Sequence, residues 1–243
     1  MLFTLYRELS QGQITLTQAL IYLVFLALGS ILATGVHESG HAYAAHLCGD
    51  DTSKYLGRIS LNPLNHIDPL GTLCLLLFGF GWAKPVLINP INFRSRTKGT
   101  VIVALAGVFA NFVLGFISCS IYFIIVLCKN TGMVAVVAAR FFLFLAQLNV
   151  GLIVFNLLPI PPLDGSRIVE VLLPADAAYK YARFSRYSFL VFGVFLVLSR
   201  FFDLDILSWI LQVPNDLIFD AYTELFQNIL DLYGGLRWLL HPM

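Results

Sequence analysis

From Thr17 to Val36 the chain runs for twenty residues, TQALIYLVFLALGSILATGV, without a charged side chain. About 20 mostly apolar residues in helical form cross the hydrocarbon core of a bilayer, and inside that core only a helix or a closed barrel satisfies every backbone group. This run therefore limits the fold more than any other stretch does. It leads straight into His37-Glu-Ser-Gly-His41, which is where the question of function begins. The rest of the composition agrees with a membrane protein: 58% of residues are apolar and 12% are charged, about half the charged share of a soluble domain. A net charge of +1 supplies no basic field for nucleic acid and no acidic tail.

Runs of spanning length are expected at about 17–47, 99–128, 139–158 and, more marginally, 187–202, where Arg200 would have to snorkel to a headgroup. Between the first two lies Pro69 to Ala83, uncharged but short and rich in glycine, which reads as a re-entrant or interfacial segment. The expected fold is an all-α integral membrane protein: a polytopic helical bundle in the lipid bilayer, with small β or loop elements at its cytoplasmic face. We divide it into a domain over 1–202 and a C-terminal amphipathic or interfacial segment over 203–243. In that segment Asp216, Asp220 and Glu224 recur every four residues opposite Leu217, Leu225 and Phe226. The N-terminus lacks the basic, apolar and small-residue pattern of a cleaved leader, so the first run is expected to stay in the mature chain. Cys48, Cys74, Cys119 and Cys128 form no CxxC pair and read as small apolar residues.

Cytoplasmic loops carry the excess of Lys and Arg. With 69–83 not crossing, Lys54, Arg58, Lys84, Arg94, Arg96 and Lys98 share one side with Arg167, Lys180, Arg183 and Arg186. Arg7, Lys129, Arg140, Arg200 and Arg237 fall on the other. That bias puts both termini outside and the HESGH end at the cytoplasmic face.

Residues four apart on a helix share a face, so His37 and His41 present two imidazoles to one point, where a divalent metal can take both. Glu38, one residue along, reaches a water on that metal and not the metal itself, as in zinc hydrolases. His46 points away from that face, and Cys48 lies about 10 Å along the axis from His41, so neither joins the set. A catalytic zinc usually has three protein ligands. Asp164 in NLLPIPPLDGSR is the candidate third: Pro159, Pro161 and Pro162 break the third run and would deliver a carboxylate into a bundle, although PPLDG alone also reads as an interfacial turn. Asn156, just before the prolines, could join helices, as Asn149 and Gln147 could, or donate to a carbonyl under attack.

These motifs resemble the site-2 proteases, intramembrane zinc metalloproteases, in their minimal branch without a PDZ domain. The likeness is carried by HESGH, LGRISLNPLNHIDPLGT, GWAKPV, AGVFAN and NLLPIPPLDG, and extends from about Ile31 to Arg186. It implies a catalytic core of three transmembrane helices. It also implies one zinc ion per chain on His37, His41 and Asp164, water activation by Glu38, and Asn156 steadying the tetrahedral intermediate. Family members commonly carry proline after the glycine of the Gly-x-x-x-Asn element, where this chain has Val108 after Gly107.

The expectation is thus a membrane-embedded zinc endopeptidase cutting a transmembrane protein substrate within or near its membrane segment, in the plasma membrane of a bacterium or archaeon. Two rivals are a divalent-metal transporter, which needs ligands on both sides of the midplane, and an inactive relative that binds membrane segments. The proline-punctuated stretches GRISLNPLNHIDPLGT and KPVLINPINF could offer a strand edge to an unwound substrate or close the cytoplasmic face of the bundle. His66 and Asp68 could orient the site or pack; they stay outside the metal set.

Overall fold

The computed structural model describes residues 2–78, 81–128, 132–201, 216–226 and 228. Lys129, Arg237 and most of the 203–243 segment lie outside them. The chain divides into two compact units, Met1–Asn111 and Phe112–Met243. Among the described residues there are helices and no strand.

The first unit is organised on one long helix. After α1 (Leu2–Ser10), α2 (Leu16–Cys48) opens on a capping box, in which Thr15 Oγ1 accepts from the Gln18 N–H at 3.2 Å and the Thr15 N–H donates to Gln18 Oε1 at 2.8 Å. It closes on Gly49 at φ 112°, a left-handed cap. Its 33 residues give roughly 50 Å of length, more than a bilayer core requires. The surplus carries HESGH beyond the uncharged run without a break in the helix.

Around the end of α2 the chain folds irregularly. A short α3 (Thr52–Tyr55) is followed by a 3-10 turn at Pro63–His66, then α4 (Pro69–Phe78) and a second 3-10 turn at Pro90–Asn92. Each turn opens on Asn-Pro: Asn62 Oδ1 accepts from the Leu64 N–H at 3.1 Å and Asn89 Oδ1 from the Ile91 N–H at 3.2 Å. The same five-residue pattern, Leu/Ile-Asn-Pro-Leu/Ile-Asn, thus makes the same Asn-capped turn twice. Of the β or loop elements expected there, these stretches form loops and turns, so neither supplies an edge strand within the chain's own fold. Ten residues of α4 rise about 15 Å, too little to cross, as expected for 69–83.

Asp50, fully buried, ties this region together. Its Oδ1 accepts from the Thr52 hydroxyl (2.5 Å), the Thr52 N–H (3.2 Å) and the Asn92 amide (2.8 Å), and its Oδ2 from the Asn89 N–H at 2.7 Å. Burial by itself would raise the carboxyl pKa; the Thr52, Asn89 and Asn92 donors outweigh it and hold it below the ordinary 3.8. Beside it, Ala44, Ala45, Phe93 and Val103 form a small apolar core.

α5 (Arg96–Leu127) runs through the boundary between the units. The second unit continues with α6 (Met133–Leu157), α7 (Asp164–Leu172), α8 (Ala175–Phe201) and a helix over 216–226, here α9. Its core joins Cys119, Ala146, Val150 and Tyr222, with Phe116, Phe123, Ile218 and Phe219 packed against them. Tyr222 donates its hydroxyl to the Phe112 carbonyl at 2.8 Å, and Phe226 stacks on Phe123 with ring centroids 5.0 Å apart. The apolar face of α9 includes Phe226, as expected, but not Leu217 or Leu225. Leu217 and Leu225 are 70% and 44% exposed, while Ile218, Phe219, Tyr222 and Phe226 pack inward. Residues 218, 222 and 226 lie two positions on from the acidic 216, 220 and 224, about 200° around the helix, so they hold the opposite side better than Leu217 does.

Among the described residues, α2, α5 and α6 are the three helices long and apolar enough to cross a membrane. They correspond to the first three expected spans. The fourth, 187–202, falls in α8, which is not among the three, and residue 202 lies outside the described residues.

Two outcomes follow. Replacing Tyr222 with Phe removes one buried hydrogen bond, worth about 1 kcal/mol; the melting temperature in detergent should fall by roughly 2–4 °C, and Tyr222→Ala should cost several times more. The Asp50 contribution is complete above the unfolded carboxyl pKa and is lost as pH falls through the lower folded value. Thermal melts should show wild type losing stability across that acid range, with Asp50→Asn less stable at neutral pH and nearly flat across the same range.

Candidate metal centre

HESGH occupies the late turns of α2, and the helix period turns His37 and His41 to one side, both buried. Their Nε2 atoms lie 2.9 Å apart, with the rings nearly perpendicular at 88°. His41 Nδ1 lies 2.7 Å from the Val103 carbonyl oxygen. A carbonyl can only accept, so Nδ1 carries the proton, and in the neutral ring Nε2 presents its lone pair toward His37. A backbone carbonyl behind a ligating imidazole fixes both tautomer and ring orientation.

The wall facing the rings is Gly107. A Cβ there would sit 2.6 Å from His41 Cε1 and Nε2 and 2.7 Å from His37 Cε1. Val103 is one helical turn before Gly107, so the missing side chain is what lets His41 reach that carbonyl. This assigns a physical reason to the glycine of AGVFAN, and it does not depend on a proline at the Val108 position. Neutral imidazoles are the commonest zinc donors, and two of them on one tetrahedral ion stand about 3.3 Å apart for bonds of ~2.05 Å. The pair needs to open by only roughly 0.4 Å to accept the ion, so these residues fit zinc.

Glu38 is half-buried on the adjoining face, and its Oε2 accepts the Val86 N–H at 2.8 Å. The donor comes from the KPV stretch 48 residues away. Neither this contact nor the Val103 carbonyl was legible beforehand, because each is a backbone atom and carries no residue-type signal.

In the second unit, α6 ends at Leu157 and α7 begins at Asp164, whose carboxyl is buried. Pro159, Pro161 and Pro162 lie in the return between them, and the Pro161–Pro162 bond is cis. Gly165 permits the return: a Cβ there would lie 2.4 Å from the Leu157 carbonyl oxygen and 2.6 Å from that of Leu158. Asp-Gly is therefore one device, a carboxylate followed by the residue that lets the turn close. Asn156, half-buried in the last turn of α6, donates to the Leu152 carbonyl at 2.9 Å. An amide has two N–H donors, so that bond does not exhaust it.

The remaining polar candidates have structural contacts. His46 pairs with Asp51 at the end of α2, and the Cys48 carbonyl accepts the Arg94 N–H at 3.0 Å. His66 is buried with Nε2 3.0 Å from the Ser60 carbonyl oxygen and 3.3 Å from the Ser39 hydroxyl. Asp68 Oδ1 accepts the Gly71 N–H at 2.7 Å and caps α4.

Residues 23–199 match the family model described as Peptidase family M50. Over 213 residues, 85% of this chain and 94% of the relative, the sequence is 38% identical to the "Putative zinc metalloprotease YwhC" of Bacillus subtilis (strain 168). Over 190 residues, 74% of this chain and 70% of the relative, it is 29% identical to a Mycolicibacterium smegmatis protein of the same description, Rip2. No solved structure matches the chain significantly. Apolar spanning helices and a zinc-fitting histidine pair, together with these relatives, define a membrane-embedded zinc metalloprotease. The chain belongs to peptidase family M50, the site-2 proteases.

Filling the Gly107 wall tests the centre directly. Gly107→Ala should weaken zinc retention by at least tenfold, read as metal content after a timed chelator challenge, with the helical circular-dichroism signal unchanged.

Proposed function

We propose that the chain is an endopeptidase that hydrolyses a peptide bond within or near a transmembrane segment of a membrane-protein substrate, using Glu38 as general base. The observation that carries this reading is the single helical turn that holds two convergent imidazole nitrogens and, beside them, a carboxylate fixed through one oxygen. We take His37, His41 and Asp164 as the zinc ligands; all three are buried and each offers one ligand atom. Bound zinc would supply a Lewis acid and a water of lowered pKa.

Glu38 has two oxygens. With Oε2 held by the Val86 N–H, Oε1 takes the proton of the attacking water as its oxygen bonds to the substrate carbonyl carbon. As the C–N bond breaks, the same carboxyl returns that proton to the departing amine. Asn156 uses its second N–H toward the oxygen on which negative charge develops. The apolar flanks of α2 keep bulk water from the reacting groups, which strengthens each of these interactions. The excess of Lys and Arg between α2 and the first turn of α5, and again in α7 and the first half of α8, supports a site toward the cytoplasmic face of a plasma membrane.

Glu38→Gln should keep its zinc and lose about 10²–10⁴-fold in cleavage rate. Asp164→Asn and His41→Ala should lose the metal as well as the activity. Purified variants assayed for metal content and for fragments of a tagged transmembrane substrate separate these outcomes. Wild-type cleavage by Glu38→Gln would sink the general-base role, and wild-type zinc affinity in Asp164→Asn would remove that carboxylate from the ligand set.

A further inference from the structure

We propose that residues 84–94 form a strap that sets the position of Glu38, and that Asp50 is the positioning residue at its far anchor. The inference rests on the reading of Glu38 as general base and adds what holds that base in place.

The strap is fastened along its length to α2, to Asp50 and α3 just after it, and to the 3-10 turn at Pro63–His66. The Lys84 N–H donates to the His66 carbonyl at 2.8 Å, and the Val86 N–H to Glu38 Oε2 at 2.8 Å. The Ser53 hydroxyl donates to the Leu87 carbonyl at 2.6 Å. The Asn89 N–H and the Asn92 amide both end on Asp50, at 2.7 and 2.8 Å, and the Arg94 N–H ends on the Cys48 carbonyl at 3.0 Å. Two buried side chains, Val86 and Phe93, peg it at either end, while Leu87 and Ile91 between them stand exposed.

A single hydrogen bond contributes no more than the cost of ordering one or two residues, so it cannot by itself hold a loop. The Val86 donor is therefore only as well placed as the anchors beyond it. Of these, Asp50 supplies an ionised acceptor, and charge-assisted bonds are roughly twice as strong as neutral ones. The group being positioned needs this help. A glutamate has three side-chain torsions, and a displacement of about 1 Å in a reacting group can cost 10²-fold in rate. A donor at Oε2 selects one rotamer and directs Oε1. The side chain of Asp50 touches none of the reacting groups; it acts through Asn89, Asn92 and the backbone that connects them to Val86.

The test uses purified full-length protein in detergent with fluorescein-labelled casein as the probe, measuring kcat, KM, zinc content and amide exchange over 84–94. Asp50→Asn turns an NH₂ toward existing donors, Asn92→Ala removes one bond gently, and Val86→Pro deletes the donor to Glu38. Asp51→Asn, at the neighbouring carboxylate that pairs with His46, is the control. Expected are a kcat loss of about 10–100-fold in Asp50→Asn and Val86→Pro, and a smaller loss in Asn92→Ala. KM should stay within about twofold and zinc at the wild-type ratio, with faster exchange over 84–94 in the Asp50 and Asn92 variants and wild-type behaviour in the control. Unchanged kcat despite faster exchange overturns the proposal. So does a kcat loss that tracks loss of zinc, which marks a structural role only. If those results come with an inactive Glu38→Gln, the inference alone fails; if Glu38→Gln cleaves like wild type, the general base and its strap fall together.

Discussion

Polar groups placed at the end of a lipid-compatible helix must find partners inside the protein, and most of what surrounds HESGH follows from that requirement. An unpaired buried donor or acceptor costs about 1–3 kcal/mol, and water is scarce where α2 leaves its apolar stretch. His41 meets the Val103 carbonyl, Glu38 meets the Val86 N–H, and Ser39 shares its hydroxyl between the Gly35 and Ser60 carbonyls. Three successive polar positions of the motif are thus each answered by main chain. The irregular chain between α2 and α5 supplies two of those groups, the Ser60 carbonyl and the Val86 N–H, and α5 supplies the Val103 carbonyl.

The spans were legible because a spanning helix must be apolar nearly everywhere along its length. The first was expected at 17–47 and is Leu16–Cys48, and the second at 99–128 is Arg96–Leu127. The third begins six residues earlier than expected, at Met133, so that Arg140 stands well inside the helix. One arginine does not stop a helix; its long stem lets the charge reach polar surroundings. The convergence of His37 and His41 was equally legible, since i and i+4 share a face whatever the fold. Asp164 and Asn156 were legible as residue types after a proline-broken helix, but their buried and half-buried settings depend on how α6 turns into α7, which no local pattern specifies.

Two stretches left open between strand and loop were settled by local chemistry. GRISLNP alternates apolar and polar residues and KPVLINP is punctuated by proline, as edge strands or interfacial loops are, and in each the asparagine before proline caps a 3-10 turn. Alternation reports only that one side is covered, and proline after an asparagine that can accept from the second residue on decides the local geometry. In α9 the acidic stripe and Phe226 were right, but Leu217 and Leu225, each one step from an acidic residue, were taken as the far side as well. At 100° per residue the far side is two steps away, where Ile218, Tyr222 and Phe226 lie.

There is a reason for the reliance on main chain around the two histidines and the glutamate. A side-chain carboxylate behind His41, or a lysine beside Glu38, would bring a formal charge into a poorly solvated region, where its desolvation would offset much of what it contributed. A carbonyl or N–H carries only a dipole, loses no rotamer freedom, and has to be paired in any case. Position then has to come from elsewhere, because a backbone atom is only as fixed as the chain that bears it. Gly107 fixes the first by letting ring and helix meet without a Cβ between them. For the second, the formal charge is moved to Asp50, beyond the apolar run, where four donors hold its carboxyl ionised. In this arrangement the charge that stabilises the loop and the Glu38 carboxyl occupy separate places. The loop can then be held firmly without a second carboxylate repelling Glu38.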